Sequence, residues 1–428
     1  MEFIRNITGK ELFKVTSLNS VSVLIRIAIG FVTSKVIAVY VGPAGMALVG
    51  NLRNFITSIE SAATLGFQNG IVKYIAEYEA NHDELKRFLF TVISVLLVVT
   101  FVLSGLLYFF AESLNDTIFG DNYKYDSVFR AFAIGLPWYI ASIVLVSILN
   151  GFGKFRKVIY INILGNILGL AVSVLLIYYY RTYGALLAVI VAPSLLFFIS
   201  VFFIHREIPF SGMFSRMNFR FSILSNLSEY SLMALASSLV GPLVLLSIRT
   251  HVIDVLGIDE AGYWEAMTRI SSYYLLFLTT ILGVYFLPQL SKAANDKETG
   301  AIFRKYYKYI MPIFIAGLIA IYFLRNVIIY VLFTTEFLPV SELFFWQLLG
   351  DVFKAASLIL GYQFFARKLT VAFIITEISS LLIQWILSRL LVESLGIEGV
   401  VMAYAFTYIV YSLVLAVYFR KPLFGKIK

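Results

Sequence analysis

Apolar residues run along this chain in about a dozen long blocks, each able to supply the roughly 20 residues a helix needs to cross a hydrocarbon core about 30 Å thick. Spans are predicted at 15–40, 43–67, 87–111, 127–150, 157–180, 183–204, 223–249, 260–287, 307–332, 340–365, 369–391 and 396–419. The pattern predicts an all-α polytopic membrane protein of about twelve transmembrane helices. The first segment begins with the polar stretch MEFIRNITGKELFKVTSLNS, which runs into the start of the first block. The block itself is too long, and too polar at its centre, for a cleavable signal peptide. The N-terminus is therefore expected to stay on the protein.

The pattern repeats. The second span opens with Ala44-Gly45 and places Arg53 eight residues on, while the eighth opens with Ala261-Gly262 and places Arg269 seven residues on. Each leads into a basic segment of matching length: Gly66 lies 20 residues before Lys86, and Gly283 lies 21 before Arg304. An internal duplication of this kind is a common build for transporters. It predicts two pseudo-symmetric six-helix lobes, near 1–210 and 211–428. The stretches 68–86 and 288–306 read as interfacial helices with snorkelling Lys and Arg.

Composition agrees with this reading: 60% of the 428 residues are apolar and 14% charged. The net charge of +9 raises the question of nucleic acid, and its placement answers it. With the N-terminus in the cytoplasm, the cytoplasmic segments hold 23 basic residues, from Arg5 and Lys10 through Arg206, Arg216 and Lys292 to Lys426 and Lys428. The opposite loops hold five: Lys124, Arg181, Arg249, Arg325 and Arg389. The positive-inside rule then puts both termini in the cytoplasm. The expected location is a membrane, crossed many times, and no nucleic-acid partner is expected.

Ionisable groups inside spans carry the chemistry, since each costs about 2.5–3.5 kcal/mol at mid-bilayer on insertion scales. Arg26, Arg53, Arg269, Asp351, Lys354 and Glu377 all fall near the middle of their spans at 1.5 Å of rise per residue. Two readings stand side by side. Glu265 with Arg269, and Asp351 with Lys354, share a helix face and could simply neutralise one another. Arg26, Arg53, Lys354, Arg269 and Lys35 could instead line a wet cavity facing an anionic ligand. Lys35 lies half a turn off the face of Arg26, so it either follows a bend at Gly30 or snorkels outward. Glu60, Asp351, Glu377 and Glu265 are candidates for coupling to H+ or Na+, or for structural pairing.

Other chemistry is missing from the sequence. No GxxxxGK[ST] run is present, so no P-loop is expected. The three histidines, His82, His205 and His251, sit near predicted loops and make no metal ligand set. The chain has no cysteine, which excludes disulfides and thiolate sites. No cofactor is expected.

The stretch GPAGMALVGNLRNFITSIESAATLGFQNGIVKYIAEY (Gly42 to Tyr78) resembles the first-half signature of Wzx-type lipid-linked oligosaccharide flippases of the MOP exporter superfamily. Within that family the likeness is to translocases of enterobacterial common antigen and O-antigen repeats. LMALASSLVGPL (Leu232 to Leu243), FLPQLSK (Phe286 to Lys292), FFWQLLGDVFKAASLILGY (Phe344 to Tyr362) and AYAFTYIVY (Ala403 to Tyr411) extend the resemblance along nearly the whole chain. It implies a MATE/MOP-like fold and an undecaprenyl-diphosphate-linked oligosaccharide carried to the periplasmic leaflet between alternating lobes. The implied partners are membrane lipids and the polymerase and chain-length proteins of the same pathway. Arg26, Lys35, Arg53 and Lys354 stand where relatives carry basic residues, and Asp351 and Glu377 lie in matching stretches. Arg269 departs from relatives that have a small polar residue there, with an acidic one where Ser272 stands.

Two other classes remain open. A cation-coupled multidrug antiporter of MATE type shares the duplication, but its site would favour unpaired carboxylates over arginine. A polytopic glycan polymerase or ligase would need a sizeable outer loop; the longest here, Ala111 to Asp126, is about 16 residues and acidic. The expectation is a transporter, not an enzyme.

Overall fold

The computed structural model describes residues 9–205 and 219–425. The basic residues Arg5, Arg206, Arg216, Lys426 and Lys428, and the expected lobe boundary at 210/211, lie outside them. All regular secondary structure among the described residues is helical. The chain divides into two compact units: one takes the residues up to Tyr40 and Asn51–Leu239, the other Val41–Gly50 and the residues from Val240 on.

The first unit contains α1 (Gly9–Tyr40), most of α2 (Gly42–Thr64), α3 (Gln68–Tyr78), α4 (His82–Phe109), α5 (Ala111–Phe119), α6 (Asp126–Gly151), α7 (Phe155–Ile204) and α8 (Phe221–Ser238). α4 starts where polar chemistry ends the preceding turn: the Asn81 side chain accepts from the backbone N–H of Glu84, and Asp83 and Glu84 sit in the first turn. α7 is two helices folded back at Arg181, whose φ of 51° breaks the helix. Added side-chain carbons would strike Leu196 from Gly165, Ala192 from Gly169 and Leu176 from Gly184, the pairing of an antiparallel hairpin. Small residues allow that approach where no water-driven collapse is available. Phe55, Phe129 and Phe132 form the aromatic centre of this unit, with ring centroids 5.7 and 6.4 Å apart.

The second unit holds the first turns of α2 with α9 (Val240–Leu256), α10 (Ile258–Ile281), α11 (Leu287–Lys292), α12 (Asp296–Lys305), α13 (Met311–Phe323), α14 (Arg325–Leu332), α15 (Val340–Ala366), α16 (Thr370–Leu395), α17 (Glu398–Tyr418) and α18 (Arg420–Phe424). Gly257 (φ 100°) before α10 and Gly396 (φ 65°) after α16 take backbone conformations that other residues adopt only under strain. α15 and α17 pack tightly against each other. Gly350 permits it, since a Cβ there would sit 2.5 Å from Tyr404 Cδ1 and 3.1 Å from the Ala405 backbone. Gly361, on the same helix, faces open space. Gly350→Val is therefore expected to destabilise the detergent-solubilised protein by about 1–3 kcal/mol through overpacking. Gly361→Ala should leave its melting unchanged; equal melting of both variants would contradict this packing.

Nine helical segments among the described residues are long and apolar enough to cross a membrane. α7 covers two of the twelve expected spans, and α2 and the α8–α9 pair occupy the two positions left. All twelve predicted blocks thus have a helical counterpart. Phe101, Phe202, Phe323, Val371 and Val417 are exposed on the outer faces, as residues solvated by lipid must be. The protein is an all-α multi-pass membrane protein.

Three local expectations change. The seventh span runs to Leu256, with a turn at Leu239, so Arg249 lies inside α9 and not in a loop. The stretch 288–306 is not one interfacial helix: it breaks at 293–295, and α12 begins on a capping box in which Asn295 accepts from Glu298 N–H at 2.9 Å while Glu298 accepts from Ala294 N–H at 2.9 Å. α12 then continues through a π-helical stretch, Tyr306–Ile310, into α13. Finally, Arg130, omitted from the loop count, sits near the start of α6 and pairs with Glu112 and Asp126, both at 3.2 Å.

Candidate functional site

The second unit buries a polar network at mid-span. Asp351 on α15 is fully buried and accepts hydrogen bonds from Ser271 (2.7 Å) and Tyr274 (2.5 Å) on α10 and from Tyr404 (2.6 Å) on α17. Gln347, one turn earlier on α15, approaches at 3.4 Å. A carboxylate with this many hydroxyl donors does not need a cation as direct partner. Lys354, expected as a possible ion partner of Asp351, stands instead over the rings of Tyr404 (5.4 Å) and Tyr408 (4.9 Å). Aromatic faces stabilise a desolvated ammonium. Glu377 on α16 accepts from Tyr411 at 3.4 Å, completing a constellation drawn from α10, α15, α16 and α17. Its geometry can hold an excess charge, or a small cation, inside a low-dielectric bundle.

A second cluster is closed. Glu265 accepts from Arg249 at 2.7 Å and from Arg269 at 2.9 Å, and all three side chains are almost wholly buried. The guanidinium of Arg249 also lies 5.0 Å over Trp264. The first turns of α2 seat against this cluster: a Cβ on Gly50 would stand 2.5 Å from Glu265 Oε2 and 3.0 Å from Arg249 Cζ. Arg269, predicted as a cavity residue, is thus packed inside the second unit with Glu265.

In the first unit, Glu60 on α2 accepts from the Tyr139 hydroxyl and, at 3.4 Å, from Gln68. Arg53, two turns earlier, is exposed, as is Arg26 on α1; Lys35 is half-buried. Arg26 makes no ion pair with any described residue. The sequence did not reveal Arg249, Ser271 or the tyrosines 139, 274, 404, 408 and 411. A signal for three of them was present: Tyr404, Tyr408 and Tyr411 recur at helical spacing and share a face. Among the described residues no cluster of metal-ligating side chains occurs, and His251 lies within α9.

A family profile described as polysaccharide biosynthesis protein matches residues 36–342, well over half of the chain. The chain belongs to the polysaccharide biosynthesis protein family. This family member is 29% identical over 412 residues to a protein of Escherichia coli (strain K12) named Lipid III flippase, covering 94% of this chain and 96% of that one. It is 21% identical over 238 residues to a putative O-antigen transporter of Shigella flexneri, with 55% and 56% coverage. Among solved structures it superposes on an inward-facing MATE-family multidrug transporter of the MOP superfamily with a TM-score of 0.73 at 16% identity, covering 94% of each chain. The lipid II flippase MurJ, in an inward closed conformation, matches with a TM-score of 0.70 at 17% identity, covering 96% of this chain and 90% of that one. The fold of this family member is therefore that of the MOP-type transporters.

Proposed function

We propose that the protein is a flippase that moves an undecaprenyl-diphosphate-linked oligosaccharide from the cytoplasmic to the periplasmic leaflet of a bacterial inner membrane, for O-antigen or related surface glycan synthesis. The observation that carries this reading is the end-to-end likeness to the Lipid III flippase, over 94% of one chain and 96% of the other. The diphosphate bears about two negative charges that cannot cross hydrocarbon unaided, and arginine offers a planar fork that matches phosphate. Arg26 and Arg53 are exposed at mid-span, where a charge must face water or a ligand. They are the proposed diphosphate contacts, with Lys354 and Lys35 as further cations. Arg269 could join them only if its pair with Glu265 opened.

In this reading both termini are cytoplasmic, and two six-helix lobes near 1–210 and 211–428 alternate access while the polyprenyl tail stays in lipid. The polymerase and chain-length proteins of the pathway are the expected partners. Coupling to H+ or Na+ falls to Asp351 and Glu377, with Glu60 as a further candidate; no other cofactor enters. Transport of a labelled lipid-linked sugar into proteoliposomes tests the cargo. Flipping that depends on the diphosphate is expected, accelerated several-fold by an imposed proton or sodium gradient. Flipping indifferent to both gradients would remove the coupling assignment. Because the native chain has no cysteine, one pair can be introduced across the lobes. Crosslinking it is expected to stop transport, and undiminished flipping would rule out alternating access.

The MATE-like fold favours one other reading, a cation-coupled multidrug antiporter. Its signature would be drug resistance on overexpression with unchanged surface glycan in a deletion strain. The excess of basic over acidic residues at depth argues for the anionic cargo.

A further inference from the structure

Away from the polar network, the second unit contains a groove of about 630 Å³, within the range of small-ligand sites. Small residues, Ala356, Ser412 and Ala416, and the apolar Phe353, Leu360 and Leu413 line it. α18 contributes Leu423 and Phe424 and is held where the Pro422 carbonyl rests on Gly300 of α12. Arg304 and Lys308 also line it, and both are exposed.

These two cations lack an acidic partner among the described residues. The nearest carboxylates along the helix are already engaged: Asp296 with Arg367 at 2.8 Å, and Glu298 with the Ala294 and Asn295 nitrogens at 2.9 and 3.2 Å. The wall that carries the cations is also fixed. Tyr306 and Tyr307 donate to the carbonyls of Ala355 and Ala356 at 2.8 and 2.7 Å, pinning the π-helical stretch to α15. A π turn re-aims the side chains that follow it and is commonly retained at sites of function. Lys308 lies within that stretch.

We infer that this groove binds an anionic phospholipid, its phosphate between Arg304 and Lys308 and one acyl chain along Phe353, Ala356 and Leu360. Each half of the site excludes a simpler occupant. A soluble anion would leave the apolar trough uncovered, and an uncharged chain would leave two cations without a counter-charge. Basic pockets at the ends of transmembrane helices attract anionic head groups for this reason. The cargo of the proposed function is a poor fit. On α15 the groove residues 353, 356 and 360 lie on the side opposite Gln347, Asp351 and Lys354, and on α17 residues 413 and 416 turn away from Tyr404, Tyr408 and Tyr411. The site therefore does not depend on the flippase reading.

The test is binding of fluorescent phosphatidylglycerol and phosphatidylcholine to the purified full-length protein in detergent. Phosphatidylglycerol is expected to bind roughly ten- to thirty-fold more tightly, because the phosphate charge that two cations attract is cancelled in phosphatidylcholine by the choline ammonium, which the same cations repel. Arg304→Gln with Lys308→Gln should erase that preference; both residues are exposed, so folding is not at risk. Ala416→Trp should block binding of both lipids while leaving the charges in place. Equal affinity for the two lipids, a preference that survives the double substitution, or unaltered binding to Ala416→Trp at wild-type melting temperature would each overturn the inference. So would displacement of phosphatidylglycerol by undecaprenyl diphosphate at equal concentrations, which would assign the groove to the cargo tail.

Discussion

Arg53→Ala and Arg26→Ala are each expected to abolish surface glycan in a complemented deletion strain while the protein remains inserted at wild-type level. Both side chains are exposed on their helices, so truncation opens no void in a core. What is lost is charge and geometry. A hydrogen bond to a charged group contributes about 1.5–3 kcal/mol net, so losing the contacts of one guanidinium lowers cargo affinity roughly ten- to a hundred-fold or more. At cellular levels of a scarce lipid-linked sugar, that loss empties the site. Arg53→Lys separates the two contributions: it keeps the charge but not the planar fork, and an intermediate glycan level is expected. Normal glycan in both alanine variants would sink the diphosphate assignment. Loss of glycan together with loss of the membrane-inserted protein would instead make the arginines structural.

The twelve spans were legible because lipid forces every backbone polar group into helical hydrogen bonds, and the price of a charge in lipid confines most Lys and Arg to the ends. The candidate site was only half legible for the same reason. Asp351, Lys354 and Glu377 stood out as charges at depth. Their actual neighbours are tyrosines, a serine and a glutamine, uncharged residue types that a search for charges at depth passes over. Only the helical spacing of Tyr404, Tyr408 and Tyr411 hinted otherwise. Arg249 was misplaced because a cation near the end of an apolar block reads as a loop residue. Nothing local reveals that α9 continues to Leu256, since the partner that permits it, Glu265, lies sixteen residues away on another helix. Burial by a distant carboxylate leaves no trace in a window of hydropathy. The hairpin at Arg181 was likewise invisible as geometry, although its two spans were foreseen as separate blocks.

Glu265→Ala should be the most damaging single substitution in the second unit. Two buried arginines share this one carboxylate, Arg249 at 2.7 Å and Arg269 at 2.9 Å. Removing Glu265 takes the same carboxylate contact away from two buried guanidinium groups at once, and breaking a buried pair in this way costs about 3–5 kcal/mol. The opposite truncation behaves differently. Arg269→Ala leaves the Arg249–Glu265 bond in place at 2.7 Å, so its cost is expected to be clearly smaller despite the larger side chain removed. Two charges on the same acid are also coupled, and the effects should not add: Arg269→Gln introduced into Glu265→Gln relieves the repulsion and should recover part of the lost melting temperature. Because Gly50 packs directly on Glu265 and Arg249, Gly50→Leu is expected to mimic the loss of Glu265 by forcing the cluster apart. Thermal unfolding of the detergent-solubilised variants, followed by size-exclusion chromatography, ranks them. If Arg269→Ala melts as low as Glu265→Ala, or the double variant lower than either single one, the cluster is not held together by charge balance, and packing around Trp264 must account for its stability.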